Sequence, residues 1–201
     1  MKTDVISVSA NGGQMAAALN MAEKVAVFKE LSPKNTLHLR LLAEEMMGLM
    51  RSITGEKQAK FWIEDEDGVY QLHLQVFTRM DSEKRSQLLA TATSGKNESA
   101  KGLMGRLRDF FERGADEDIA SLASPLILPE MYEGSSSHAL DWEWSMIQYE
   151  RALAPYVKRS DKAALEAWDE LEKSVVAHVA DDVKVSIKGD TVEMILVKKL
   201  S

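Results

Sequence analysis

The stretch that decides the fold is SPKNTLHLRLLAEEMMGLMRSITG, residues 32–55. Ser32 is a good helix N-cap, Pro33 suits the first helical position, and Gly55 stands where a C-cap glycine belongs. Between them Leu39, Leu42, Met46, Leu49, Met50 and Ile53 fall into one narrow stripe when residues are placed about 100° apart on a helical wheel. The two acids inside this helix differ in phase. Glu45 lies about 60° from the centre of the apolar stripe, at its margin towards a sheet, whereas Glu44 lies about 160° away, on the water side.

Working outward, DVISVSA at 4–10 reads as a short strand with Val5, Ile6 and Val8 apolar, and Asn11-Gly12-Gly13 breaks it. From Gln14 to Leu31 the apolar spacing turns helical. After the central helix come KFWIEDED (60–67) and VYQLHLQVFT (69–78), joined by Asp67-Gly68, a dipeptide that favours a two-residue hairpin. Leu72, Leu74 and Val76 share one face of the second strand, with Tyr70 in phase at its start. A second hairpin, DVKVSIKGDTVEMILVKK (182–199), alternates Val183, Val185 and Ile187 with polar residues and turns at Gly189-Asp190. It then alternates back through Val192, Met194 and Leu196. The order strand, helix, helix, two strands, a long middle and two strands predicts an α+β fold: a two-layer α/β sandwich over residues 1–201. The middle, 79–180, reads as a mostly helical insertion with helices at Ser82–Ala92, Glu98–Arg113, Asp141–Lys158 and Ala163–Ala180.

Composition narrows the function classes. The chain has 201 residues and a net charge of −7, which argues against non-specific binding to the phosphates of nucleic acid. With no cysteine, disulfides, thiolate metal sites and thiol catalysis are excluded. The start of the sequence lacks the pattern of a secretory signal, and no run approaches about 20 apolar residues, so a cytoplasmic location is the expectation. Charge is uneven along the chain. Residues 114–150 hold eight acids and no Lys or Arg, whereas 79–113 hold eight basic residues and five acids. Asp116, Glu117 and Asp118 head the acidic stretch and are the candidate partner-binding residues, for a protein with a basic patch; the alternative is a solvated acidic loop. Trp142, Trp144, Tyr149 and Tyr156 fit either an interface or core filling, and the eleven methionines suggest an adaptable core.

The phrase RLLAEEMMGLM (40–50) resembles the N-box helix of the GHKL group, the ATPase fold shared by histidine kinases and the anti-sigma-factor serine kinases. The resemblance extends to the element order of the anti-sigma-factor branch: a short first strand, a long helix, the N-box helix, a strand pair, and a closing hairpin phrased like DTVEMILVKKL. It covers about half of the chain, residues 1–80 and 175–200. It implies a histidine-kinase-like ATPase sandwich in a signalling setting. In that family the N-box Glu acts as a base, and an Asn four residues on orders the Mg²⁺ that bridges the phosphates. The resemblance matches Glu45 to that Glu, but Leu49 follows four residues later; matched from Glu44 the partner is Gly48. Neither side chain offers the oxygen that a hard cation requires.

The family's glycine boxes are also altered. After the second hairpin strand the chain reads FTRMDSEKRS (77–86), where Asp81 could take the adenine-contacting position but no glycine follows. A glycine-rich turn survives only as TSGKNESAKGLMG (93–105), with Gly95, Lys96, Gly102 and Gly105. It serves as an anion cradle in one reading and as a turn into a helix in the other. His38, His73, His138 and His178 show no ligand spacing, apart from Asp182 four residues after His178, so no metal site is expected.

The reading these residues favour is a degenerate GHKL-type module, regulatory or scaffolding, that acts through protein–protein contact and binds no cofactor. A homodimer is compatible with it. The alternatives are an ATP- and Mg-using serine-kinase-like enzyme with a rebuilt site (Glu45 as base, Asp81 and the 95–105 glycines on the nucleotide) and a small-molecule sensor.

Overall fold

A computed structural model gives the architecture and describes residues 1–9, 12–54, 58–77, 141–188 and 191–200. Six strands form a single antiparallel sheet in the order β1-β2-β3-β6-β5-β4. They are β1 (Ile6–Ser9), β2 (Gln58–Glu66), β3 (Val69–Phe77), β4 (Asp141–Ser145), β5 (Asp182–Lys188) and β6 (Thr191–Lys199). The described helices are α1 (Gly12–Phe28), α2 (Pro33–Thr54), α3 (Met146–Lys158), α4 (Lys162–Glu172) and α5 (Val175–Val179). The fold is therefore α+β. The closing hairpin β5–β6 joins the sheet of the early strands, because β6 pairs with β3 along its whole length, from Val69↔Lys199 to Phe77↔Thr191.

Period-two patterning explains which sheet face the helices cover. Phe61 and Ile63 of β2, Leu72 and Leu74 of β3, Val183 and Val185 of β5, and Met194 and Leu196 of β6 are all buried on one face. Leu39, Leu42, Ala43, Met46 and Met47 of α2 are buried in the same core cluster, with Ala18, Ala22, Val25 and Ala26 of α1. Each fully buried Leu or Met removes apolar surface worth about 1.5–3 kcal/mol from water, and this stripe is what holds α2 against the sheet.

The punctuation read from sequence is present. Ser32 Oγ accepts from the Asn35 amide at 3.3 Å at the start of α2. Helix α1 ends in a Schellman pair, with Leu31 N–H on the Ala26 carbonyl at 2.9 Å and Glu30 N–H on the Val27 carbonyl at 3.1 Å. That motif places Glu30 at φ 51°, in the left-handed region. Asp67 (φ 50°) and Gly68 (φ 81°) form the two-residue turn between β2 and β3.

Two expectations need correction. Residues 141–145 are not the first turn of a helix but strand β4, which pairs with β5 at the sheet edge. DWEWS alternates at period two with Trp at every second place, which suits a pleated surface. Ser145, at φ −132° and ψ 136°, then ends the strand and caps α3. The 79–180 segment therefore contributes a sixth strand to the sheet. The helix expected over 163–180 is two helices, broken at Lys173-Ser174, because Ser174 caps α5 by accepting from the Ala177 amide at 3.4 Å.

Candidate functional site

Glu45 is placed by α2. The apolar stripe turns Met46, Leu49 and Leu42 into the core, so position 45 falls at the edge of the helix–sheet contact and is half-buried, while Glu44 is exposed. Burial raises the Glu45 carboxyl above its ordinary value, and the neighbouring Glu44 charge adds to that. Leu49 is 6 % exposed and belongs to the core. Gly48 is on the exposed side, with open space where a Cβ would stand. Neither place four residues on carries a metal-binding oxygen. Asp81, Gly95, Lys96, Gly102, Gly105, Asp116, Glu117 and Asp118 lie outside the described residues. Among the described residues no group of three His, Asp or Glu side chains could hold a metal ion.

A second site, absent from the sequence reading, sits at the opposite end of α2. A hollow of about 650 Å³ is lined by Met1, Lys29, Glu30, Leu31, Ser32, Asp65, Glu66, Asp67, Gly68, Tyr70 and Leu200. Glu45 stands 13 residues beyond Ser32, about 20 Å along the helix, so the hollow and the N-box carboxylate are separate places. The floor of the hollow is an ion pair: Lys29 Nζ lies 2.5 Å from Asp65 Oδ2, and the Asp65 side chain is 5 % exposed. Gly68 N–H donates to Asp65 Oδ1 at 3.1 Å. Burial pushes the Asp65 carboxyl up, but the Lys29 ammonium and the Gly68 amide outweigh it and hold the group below its ordinary value. Burial raises the Tyr70 hydroxyl, and the Asp65 charge raises it further. The sequence carries no local signal for this arrangement, because the α1–α2 turn and the β2–β3 turn meet only in the tertiary structure.

A third cluster lies on the sheet face turned away from the described helices. Trp62 and His73 are cross-strand partners whose rings stack at 4.7 Å with planes 9° apart. Glu64 Oε1 accepts from Trp62 Nε1 at 2.9 Å and lies 2.8 Å from Lys2 Nζ. His73 Nδ1 is 3.2 Å from Glu193 Oε1.

His38 of α2 is half-buried, and its Nδ1 is enclosed with no hydrogen-bond partner among the described residues. Tyr149 and Tyr156 pack against the core, the structural one of their two readings. No described helix is long and apolar enough to cross a membrane. No protein-family model matches this chain, and no curated protein is similar to it.

Proposed function

We propose that this chain is a regulatory or scaffold module built on the histidine-kinase-like ATPase sandwich, whose nucleotide site is degenerate and which works through protein–protein contact. The observation that carries the reading is α2 itself. It lies across β3 and β6 beside the closing hairpin, it presents Glu45 at its margin, and it has Leu49 or Gly48 where the family needs an oxygen ligand. The element order around it supports the same reading: a short strand, a long helix, this helix, a strand pair, and a final hairpin zipped onto that pair. Phosphoryl transfer depends on Mg²⁺ neutralising charge between the phosphates, so a sandwich without that ligand is suited to docking and not to turnover. Isothermal titration of the purified chain with Mg-ATP tests this. No heat of binding is expected, and tight binding overturns the proposal.

The partner surface belongs, in this reading, to Asp116, Glu117 and Asp118. Reversing all three to Lys should abolish co-purification of a basic partner protein while the far-ultraviolet circular dichroism stays unchanged. A second reading, an ATP-using enzyme with a rebuilt site, draws on the half-buried Glu45, since burial that raises a carboxyl is how a general base is tuned. ATP turnover that survives Glu45→Gln excludes it. The third reading, a small-molecule sensor, has the 650 Å³ hollow beside Asp65 as its natural place.

A further inference from the structure

His73 is 7 % exposed although no described helix covers its face of the sheet, and its Nε2 is buried with no hydrogen-bond partner among the described residues. Its surroundings fix which ring nitrogen carries the hydrogen. An ionised carboxylate only accepts, so the 3.2 Å contact with Glu193 Oε1 requires N–H at Nδ1. On a neutral ring Nε2 is then a lone pair, and it faces a second carboxylate oxygen, Glu64 Oε1, at 4.0 Å. Two acceptors confront each other across a gap about 1 Å longer than a hydrogen bond. The same Glu64 oxygen is held by Lys2 Nζ at 2.8 Å and Trp62 Nε1 at 2.9 Å, and Lys2 also sits 5.3 Å above the Trp62 ring.

We propose that His73 is a proton-operated latch on the sheet face turned away from the described helices: when its ring is protonated, Nε2–H draws Glu64 to itself and loosens the hold of Glu64 on Lys2, so that the first residues of the chain separate more readily from β2.

Among the described residues, the charged groups around the ring or on the strands beside it come from several elements. Glu64 comes from β2, with Lys60 further along that strand; Glu193 comes from β6; Lys2 comes from the first segment; and Lys184 of β5 is in register with Ile195, the β6 partner of His73. Glu64 stays ionised throughout, because its hydrogen bonds to Lys2 and then Trp62 hold it below the ordinary carboxylate range. The first segment has its own reporter, since Thr3 N–H donates to the Ile63 carbonyl at 2.9 Å beside the Lys2↔Glu64 bridge.

The test is amide hydrogen exchange of the full chain at pH 7.5 and pH 5.5, expressed as protection factors, with wild type beside His73→Gln. The Thr3 amide of the wild type should lose about two- to fivefold of its protection on acidification, the scale set by one exposed ion pair, while the variant stays flat. Trp62-specific emission, obtained by subtracting a Trp62→Phe variant, should change over the same pH span in the wild type alone. Unchanged wild-type Thr3 protection, or an equal loss in His73→Gln, overturns the proposal. The wild-type measurement decides the matter even if the variant does not fold.

Discussion

Replacing Asp182 by Ala should cost about 3 kcal/mol of stability, and the structure says where that comes from. Asp182 and Ser145 are each 6 % exposed. The Asp182 carboxylate accepts from Ser145 Oγ at 3.1 and 3.2 Å, from the Ile147 amide at 3.3 Å and from the Val183 amide at 2.8 Å. Ser145 in turn caps α3 by accepting from the Gln148 amide at 3.5 Å. One side chain therefore ties the first residue of β5 to the last residue of β4 and to the start of α3. Removing it strands the Ser145 hydroxyl and the Ile147 amide at about 1–3 kcal/mol for each fully buried group, and weakens a helix cap worth about 1 kcal/mol. The half-burial of Ile147 brings the total to about 3 kcal/mol. Asp182→Asn keeps an acceptor for the two amides and turns an amide donor towards Ser145, so it should cost about 1 kcal/mol. In a chain of this size the alanine loss lowers Tm by about 6–12 °C. Equilibrium urea unfolding followed by circular dichroism measures both variants, and a double-mutant cycle with Ser145→Ala should return a coupling of about 1 kcal/mol. An alanine variant within about 0.5 kcal/mol of wild type, or an asparagine variant as damaged as the alanine one, refutes the reasoning.

Three further outcomes follow from named groups. Glu45→Gln should raise stability at pH 7 by a few tenths of a kcal/mol, because a carboxyl raised in the folded state opposes folding once ionised, and its half-exposure limits the effect. The gain should vanish as pH falls to about 4, so a constant gain across urea curves at several pH values would contradict the assignment. Lys29→Met should lower the urea midpoint at neutral pH. Asp65, held below its ordinary value, supports the fold above that value and loses its contribution as acid protonates it, so the deficit of the variant should shrink from about pH 4 downwards. Gly68→Ala should cost about 1–2 kcal/mol in thermal unfolding, since φ is +81° and the added Cβ would stand 3.0 Å from the Leu200 carbonyl oxygen; a neutral result would mean a different turn.

The sequence was informative where a period or a turn residue carried the signal. The Ser32-Pro33 start, the Leu39, Leu42, Met46 and Leu49 part of the α2 stripe, the margin position of Glu45 and the Asp67-Gly68 turn are local patterns, and each stands where the pattern placed it. The Trp62–His73 pairing is legible too: a two-residue turn at 67–68 fixes the register of β2 and β3 and sets position 62 against 73. DWEWS is ambiguous by itself, because charged and aromatic residues suit a helix margin as well as an edge strand, and the partner that decides between them, β5, lies some forty residues on. The Lys29–Asp65 and Ser145–Asp182 links were not legible, since each joins residues 36 or 37 positions apart with no periodic relation.

The β3–β6 seam has a thermodynamic corollary. Its ladder joins Phe77 to Thr191, so forming the middle of the sheet closes a circuit of more than a hundred residues. Contacts this distant in sequence slow the search for the native state. Their entropic penalty grows only with the logarithm of the circuit, by about 0.6 kcal/mol for each doubling in length. By loop-closure entropy alone, then, a change in the length of that circuit alters the stability of the sheet little, so long as β4, β5 and the helices packed with them are kept.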